Sequence, residues 1–314
     1  MSETVAGPVS SRKSEGPLKS ATEGTIRMSR TIYVNGCYQP YNNALLHVED
    51  RATLFADAVY EVVEVKAGNL VDQDAHLERL ERSLNEIKLV TDFALHTIPF
   101  IIRESIRRNR VKNGYVYIQV SRGCAQRDFI FPKTNETPAT LIIFARSKNP
   151  LKLDEKSKKG IKVITHPDLR WKRPDIKTTG LLASVLARQT AIEQGAEEAW
   201  LYNEDKIITE GAASNAWIVN NKNELITHPA NQSILKGITR EGVMRLAKEL
   251  NLKFSERPFS IEEAKEAKEA FITAATNLVM PVTQIDEKTV NDGKSGPISL
   301  KLREIFHEFA QISH

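Results

Sequence analysis

Changes in hydrophobic period along the chain mark its elements. Thr31-Ile32-Tyr33-Val34 leads into Asn35-Gly36, which reads as a strand entering a tight turn, with a second short strand and a loop through Asn42-Asn43 behind it. From Leu54 to Gly68, Phe55, Val59, Val62, Val63 and Val65 are set around Asp57, Tyr60, Glu61 and Glu64, and the stretch closes at Ala67-Gly68-Asn69 as a hairpin into Leu70-Val71. The period then lengthens. Leu77, Leu80, Leu84 and Ile87 recur every three or four residues, which predicts an amphipathic helix over 74–87, and a second follows over 93–110, led by Pro99. Tyr115 to Arg122 alternates as a strand, feeds a loop through Gly123, Arg127, Phe129 and Pro132, and returns as an apolar strand over 141–145.

A charged connector, Asn149 to Lys159, precedes the second half. There Ile161 to Ile164 reads as a strand, His166-Pro167-Asp168 as a turn, and Gly180 to Ala187 as a partly buried helix opened by Lys177 behind Pro174. Strands are expected at 199–202, 207–208, 216–219 and 225–227, with turns at 203–205 and 220–223. A helix from Ile238 to Leu250 has Thr239 as its expected cap, followed by a charged helix over 261–269, a strand over 269–273 and an amphipathic helix over 300–309. Short strands, mostly hairpin-linked and mixed with helices, predict an α+β fold and argue against a doubly wound nucleotide-binding sheet; there is no GxGxxG and no internal repeat. The expected division is a leader at 1–28, an N-terminal α+β domain at 29–148, a linker at 149–159 and a C-terminal domain at 160–314.

Composition narrows the class. With 41% hydrophobic and 27% charged residues and a formal charge of +4, the chain has the balance of a soluble globular protein. The basic excess is local, on Arg103, Arg107, Arg108, Arg110 and Lys112 and in the connector; without aromatic interleaving it reads as a solvated helix face, so no nucleic-acid partner is expected. Cys37 and Cys124 are too few and too far apart for a disulfide scaffold and point to a reducing, cytoplasmic setting. No apolar run is long enough for a membrane span. The leader, rich in Ser, Gly, Thr, Pro and Lys, is read as disordered, as an organelle-type presequence, or as an extension ahead of a start at Met28; the last is favoured because ordered patterning begins immediately after it.

Several stretches carry candidate chemistry. Lys177 in Asp175-Ile176-Lys177-Thr178-Thr179 could serve as an amine that forms a Schiff base with a carbonyl. Ile234-Leu235-Lys236-Gly237-Ile238-Thr239-Arg240 offers backbone N–H groups at a helix start, a phosphate cradle. Phe271 to Asn277 runs into small residues that let backbone approach an anion, and Glu210 in Thr209-Glu210-Gly211 could keep a heterocyclic nitrogen protonated. Arg79, Arg122 and Arg127 stand at element ends, where guanidinium forks clamp carboxylate or phosphate. Each also has a plainer reading: a surface lysine, a generic helix cap, tight packing, and a turn carboxylate satisfied by the N–H groups of Gly211 and Ala212. Together, an amine, a phosphate cradle, an acid and a carboxylate clamp are what pyridoxal phosphate catalysis on an amino acid requires.

From about Ile32 to Phe309 the chain resembles the fold-type IV pyridoxal-phosphate enzymes, and most closely the D-amino-acid aminotransferases. The resemblance is carried by Phe55 to Val63, the Arg122 to Pro132 loop, Asp175-Ile176-Lys177, Thr209-Glu210-Gly211 with Ser214-Asn215, and His228-Pro229-Ala230 followed by Ile234 to Arg240. It implies a smaller N-terminal α/β domain, a larger C-terminal mixed β domain with helices, and pyridoxal 5′-phosphate at their interface. Lys177 would form the Schiff base and shuttle the proton, Glu210 would pair with the pyridine nitrogen, and Leu235 would pack on the ring. Arg79, Ile238, Thr239 and the N–H of Ala275 would hold the phosphate. Tyr60 and Arg127 would hold the substrate carboxylate, the arginine coming from the neighbouring subunit of a homodimer, with Arg122 able to share the load.

Two departures from the family pattern bear on substrate. Phe129 stands where better-studied members have histidine, and Ala274 and Ala275 stand where hydroxyls are common. The implied activity is transfer of an amino group from a D-amino acid, D-alanine-like, to 2-oxoglutarate or pyruvate. Within the same fold a branched-chain L-amino-acid aminotransferase, an aminodeoxychorismate lyase and an R-selective amine transaminase are the alternatives. A catalytically dead binding protein is disfavoured by the presence of both Lys177 and Glu210.

Overall fold

The computed structural model describes residues 30–133 and 136–313, so the expected leader at 1–28 lies outside the described residues. In chain order the first strands are β1 (Thr31–Val34), β2 (Cys37–Pro40), β3 (Ala58–Lys66), β4 (Asn69–Val71), β5 (Gly114–Ser121) and β6 (Thr140–Ser147). Next come β7 (Ile161–Pro167), β8 (Glu198–Tyr202), β9 (Ile208–Gly211), β10 (Asn215–Val219), β11 (Leu225–Thr227) and β12 (Phe254–Glu256). The remaining strands are β13 (Glu269–Ala274), β14 (Leu278–Ile285), β15 (Lys288–Thr289) and β16 (Ile312–Ser313). The helices are α1 (Arg51–Phe55), α2 (Gln73–Glu86), α3 (Ile98–Asn109), α4 (Pro150–Lys159), α5 (Leu182–Glu193), α6 (Ile238–Glu249), α7 (Ile261–Lys265) and α8 (Pro297–Phe309).

Among the described residues these strands form two sheets. The first is antiparallel throughout, in the order β16-β4-β3-β5-β6-β1-β2. Alternation on β3 turns Val59, Val63 and Val65 to one face, where they join Val116, Ile118 and Val120 of β5 and are covered by Leu80 and Leu84 of α2 and Ile98 and Ile102 of α3. The opposite face carries a stack of rings: Tyr60 lies 5.5 Å from Tyr117, which lies 4.9 Å from Phe144. The second sheet is mixed and runs β12-β11-β10-β13-β14-β7-β8-β9, with β15 on β14. One of its faces packs on α6 and α8 through Val243, Leu246, Leu302 and Phe306, the other on α7 through Ile261 and Ala264. The architecture is thus α+β, as expected.

Several elements differ from the reading of the sequence. The connector at 149–159 contains a helix: Asn149 accepts from the N–H of Leu151 and Pro150 stands in the first turn, an N-cap and Pro signature inside a stretch read only for its charge. Strand β14, paired between β13 and β7, was not anticipated. The helix expected from 93 begins at Ile98, and the one expected over 261–269 ends at Lys265. Thr239 is not a cap; Gly237 is the N-cap of α6, without a side-chain bond. The last strand also crosses back: β16 pairs with β4, tying the chain's final described residues to the first sheet.

The largest correction concerns Lys177, which is not on a helix. Helix α5 starts five residues later, and its buried positions are the small residues Ser184, Ala187 and Ala191, while Leu182, Val185 and Leu186 face outward. Rigidity reaches Lys177 by another route. Residues 176–179 are laid along β3: the Tyr60 N–H donates to Lys177 O at 2.9 Å, the Thr179 N–H donates to Ala58 O at 3.0 Å, and Val59 bridges Thr178. Ile176 is buried in the first core, a contribution of about 2 kcal/mol for such a side chain.

Candidate active site

A cavity of about 230 Å³ opens between the two sheets. Tyr60, Arg79, Lys177, Glu210, Leu235, Ile238, Thr239 and Ala275 all line it, although they come from β3, α2, the 176–179 segment, β9, the stretch before α6, α6 itself and the turn after β13. Eight residues proposed from separate motifs therefore share one wall-to-wall space. Arg122, Arg127 and Phe129 are not on it.

The Lys177 amine sits 4.3 Å from the centroid of the Tyr60 ring and, among the described residues, makes no ion pair with a carboxylate. An amine held against a ring face, with no counter-ion, is available to a carbonyl partner.

Glu210 is buried and closely bonded. Oε1 accepts from the Leu235 N–H at 3.0 Å and from Nη1 of Arg170; Oε2 accepts from Asn215 Nδ2 at 2.9 Å. Its plainer reading, satisfaction by the N–H groups of Gly211 and Ala212, does not hold: those N–H groups go to Ser214 O and Ala199 O. Burial pushes the Glu210 carboxyl up from its ordinary value, and the Arg170 guanidinium and the Leu235 N–H oppose that push.

The far end of the cavity is the N-terminus of α6. The first bond within the helix runs from Glu241 N to Gly237 O, so the N–H groups of Ile238 and Thr239 have no helical acceptor and carry the positive end of the helix dipole. Glycine is required at 237 by close approach: a Cβ there would lie 2.1 Å from Asn215 Oδ1. Across from this helix start, Arg79 places Nε and Nη2 on Glu61 at 2.7 and 2.8 Å and Nη1 on Lys236 O at 2.8 Å. The remaining guanidinium N–H groups are left for an anion. Glu61 also meets His76 Nδ1 at 2.8 Å, and although burial alone would raise it, Arg79 and His76 hold its carboxyl far below the ordinary range. Burial lowers His76 in turn.

Neither Glu61, His76 nor Arg170 was singled out from the sequence. His76 and Arg79 stand three apart on α2, a spacing that puts them on one helix face and could have drawn attention to a shared carboxylate. Arg170 stands two residues after Asp168, which it forks, but nothing local marks its second carboxylate, Glu210, forty residues later on β9.

Arg122 departs from its expected role. It forks Asp57 through Nε at 2.8 Å and Nη2 at 3.0 Å, donates to the carbonyls of Ile87 and Lys88, and has the Phe131 ring 3.7 Å from its guanidinium carbon. A nearby carboxylate of its own chain has taken the fork, so it fixes the start of the 122–132 loop and is not in the cavity. Arg127 lies exposed further along that loop, beside the rings of Phe55 and Phe129 at 5.3 and 5.6 Å.

Residues 58–285 match the family model "Amino-transferase class IV", a span that includes the whole cavity lining. The chain belongs to the class IV aminotransferases. Curated relatives include a D-alanine aminotransferase of Staphylococcus haemolyticus, 35% identical over 280 residues that cover 89% of this chain and 98% of that one. Another is a D-alanine aminotransferase of Listeria monocytogenes, 34% identical over 278 residues, covering 88% and 95%. Among solved structures, a T.th. branched-chain amino acid aminotransferase with pyridoxamine 5′-phosphate superposes with a TM-score of 0.82 at 25% identity, covering 89% of this chain and 93% of that chain.

As a class IV aminotransferase of fold type IV, the protein uses pyridoxal 5′-phosphate, and the residues present fit that group. An unpaired amine, a buried acid with an acceptor site on Oε2, a leucine side chain, and N–H donors with a guanidinium at the opposite end match its aldehyde, ring nitrogen, ring face and phosphate in kind. Ala274 and Ala275 supply no hydroxyl, but Thr273 and Thr276 beside them line the cavity, and Thr273 Oγ1, although it accepts from Trp217 Nε1 at 3.0 Å, keeps its O–H as a donor. The donors that this end of the cavity offers an anion are the backbone N–H groups at the α6 start, the hydroxyls of Thr239, Thr273 and Thr276, and Arg79.

Proposed function

We propose that this aminotransferase moves the amino group of a D-amino acid, D-alanine-like, to pyruvate or 2-oxoglutarate. The observation that carries the reading is the 35% identity to a D-alanine aminotransferase over nearly the whole of that chain, together with the convergence of Lys177, Glu210 and Arg79 on one cavity. When bound, pyridoxal 5′-phosphate supplies the carbonyl carbon that takes the amino group and the ring that accommodates the electron pair released at Cα. The chain's residues do the rest. Lys177 Nζ takes the proton from the substrate Cα, and its fixed backbone along β3 sets the face from which it does so. Glu210 presents a carboxylate to the ring nitrogen, held in direction by Asn215 and the Leu235 N–H. Ile238, Thr239, Ala275 and Arg79 neutralise the phosphate, and Tyr60 offers its hydroxyl to the substrate carboxylate.

Arg127 completes the carboxylate clamp across a homodimer. Supporting this, Phe129 and Ile130 in its loop are 78% and 75% exposed, and Leu182 and Val185 on α5 are 71% and 58% exposed, apolar surface of the kind that a second copy covers. Light scattering on the purified protein should give twice the chain mass; a monomer with full activity would remove Arg127 from the site. Among the described residues no helix is long and apolar enough to cross a membrane. Two exposed, unpaired cysteines support a cytoplasmic location, which fractionation against a cytosolic marker would test.

The deciding experiment adds D-alanine, D-glutamate, their L enantiomers and L-leucine separately to the purified holoenzyme without an oxo acid. Loss of the bound cofactor's visible absorbance with D-substrates only is the expected result. Conversion by L-leucine or L-glutamate alone would move the reading to a branched-chain enzyme, and conversion by none would leave the lyase and amine transaminase.

A further inference from the structure

Behind Glu210 lies a second layer of charge. Arg170, in the segment after β7, forks Asp168 through Nε at 2.9 Å and Nη2 at 2.7 Å, and turns Nη1 onto Glu210 Oε1. Nη2 also donates to Ser233 O at 3.3 Å, next to the segment that carries Leu235. Asp168 is itself held from β9, where Thr209 Oγ1 donates to Oδ2 at 2.9 Å. The guanidinium is therefore shared by two carboxylates, both largely buried, with side-chain exposures of 12% for Arg170, 14% for Asp168 and 5% for Glu210. Thr209 and Glu210 are adjacent on β9, so one strand presents the hydroxyl that steadies Asp168 and the acid that faces the cavity.

We propose that Arg170, anchored by Asp168, is a positioning residue that keeps Glu210 ionised and aimed, and so holds the cofactor's ring nitrogen protonated. This rests on the reading that Glu210 pairs with that nitrogen. Two physical effects compete at Glu210. Burial and the neighbouring Asp168 charge both favour a neutral acid, and a neutral Glu210 would give the ring nitrogen no anion to face. Arg170 opposes both, through its own charge on Glu210 and by satisfying Asp168. The division of acceptors fits: Oε1 takes Arg170 and Leu235, while Oε2 takes Asn215 alone and has room for one more donor. The triad of Asp168, Arg170 and Glu210 carries one net negative charge, the complement of one protonated ring nitrogen.

The test compares binding of two probes to apoprotein: pyridoxal 5′-phosphate and its analogue with carbon in place of the ring nitrogen. Wild type should bind the nitrogen form more tightly than the carbon form by about tenfold or more, the equivalent of one pKa unit. Glu210→Gln should abolish this preference. Arg170→Gln should reduce it by a similar factor with Glu210 intact, and Arg170→Lys should retain most of it. Equal weakening of both probes in Arg170→Gln would make Arg170 a structural brace only and overturn the inference. An unchanged preference in Glu210→Gln would instead overturn the reading of Glu210. If Arg170→Gln does not fold, Arg170→His supplies the measurement: its preference should fall between about pH 5.5 and 8 as the imidazole loses its charge, and a flat ratio over that range overturns the inference.

Discussion

Arg79 and Glu61 are joined by two parallel hydrogen bonds, Nε to Oε1 at 2.7 Å and Nη2 to Oε2 at 2.8 Å, with Glu61 wholly buried. The pair fixes the guanidinium from behind, so the edge offered to the cavity is already oriented. Glu61→Gln removes the charge and leaves a buried arginine uncompensated, which should cost about 3 kcal/mol of stability. It should also weaken binding of the phosphorylated cofactor. Chemical denaturation of the apoprotein and cofactor titration check the two effects separately.

The same cluster sets a pH dependence. Glu61 is lowered in the folded state, so its contribution is complete above the ordinary carboxylate range and is lost as pH falls. His76 is lowered by burial, so below about pH 6.5 the unfolded chain takes up a proton that the folded one refuses. Both slopes have the same sign: stability decreases toward acid, first through His76 and then through Glu61. The melting temperature should fall between pH 7 and pH 5, and by less in His76→Gln.

Arg122 and Arg127 should separate cleanly in mutagenesis. Arg122→Ala strips a largely buried Asp57 of its fork but leaves it paired with Arg51 Nε at 2.8 Å, so the loss should be about 1–2 kcal/mol in stability, with substrate kinetics altered little. Arg127→Ala should leave the melting temperature within a degree or two and raise the apparent KM for both amino acid and oxo acid. Unchanged kinetics would exclude Arg127 from the clamp.

Lys177→Ala should lower turnover by on the order of 10⁴ while the protein still binds cofactor noncovalently. Ordinary absorbance of the bound cofactor together with normal turnover would show that another group performs the chemistry.

Gly237→Ala drives a methyl group into Asn215 Oδ1. Because Asn215 also bonds Glu210 and Leu235 O, the displacement should reach the ring acid and the helix start together, weakening cofactor binding by about tenfold. A dissociation constant equal to wild type would show that the segment shifts as a body.

What could be read from the sequence follows from the range of the interactions. The apolar pattern over 54–68 and the three-to-four spacing on 74–87 are local; β3 occupies the first from Ala58 to Lys66, with Leu54 and Phe55 closing α1 instead, and α2 matches the second to within a residue. Lys177, Glu210 and the α6 start were legible as residues because each sits in a distinctive local context. The support of Lys177 was not: its neighbours are main-chain atoms of β3, more than a hundred residues earlier, and backbone pairing leaves no mark in side-chain identity. Arg122 misled for a related reason. A guanidinium at a strand end suits any carboxylate, and only folding reveals that Asp57 is the near one. Residues 278–285 pass unnoticed because a strand buried on both faces shows no alternation.

The return of β16 to β4 has a consequence for synthesis. The Gln311 N–H donates to Asp72 Oδ1 at 3.1 Å across 239 residues of chain, directly beside the pairing of Ile312 with Val71. As the polypeptide leaves the ribosome, the β4 margin therefore stays an open edge, able to pair with any passing strand, until residues 311–313 have emerged. The first sheet is started early and sealed last.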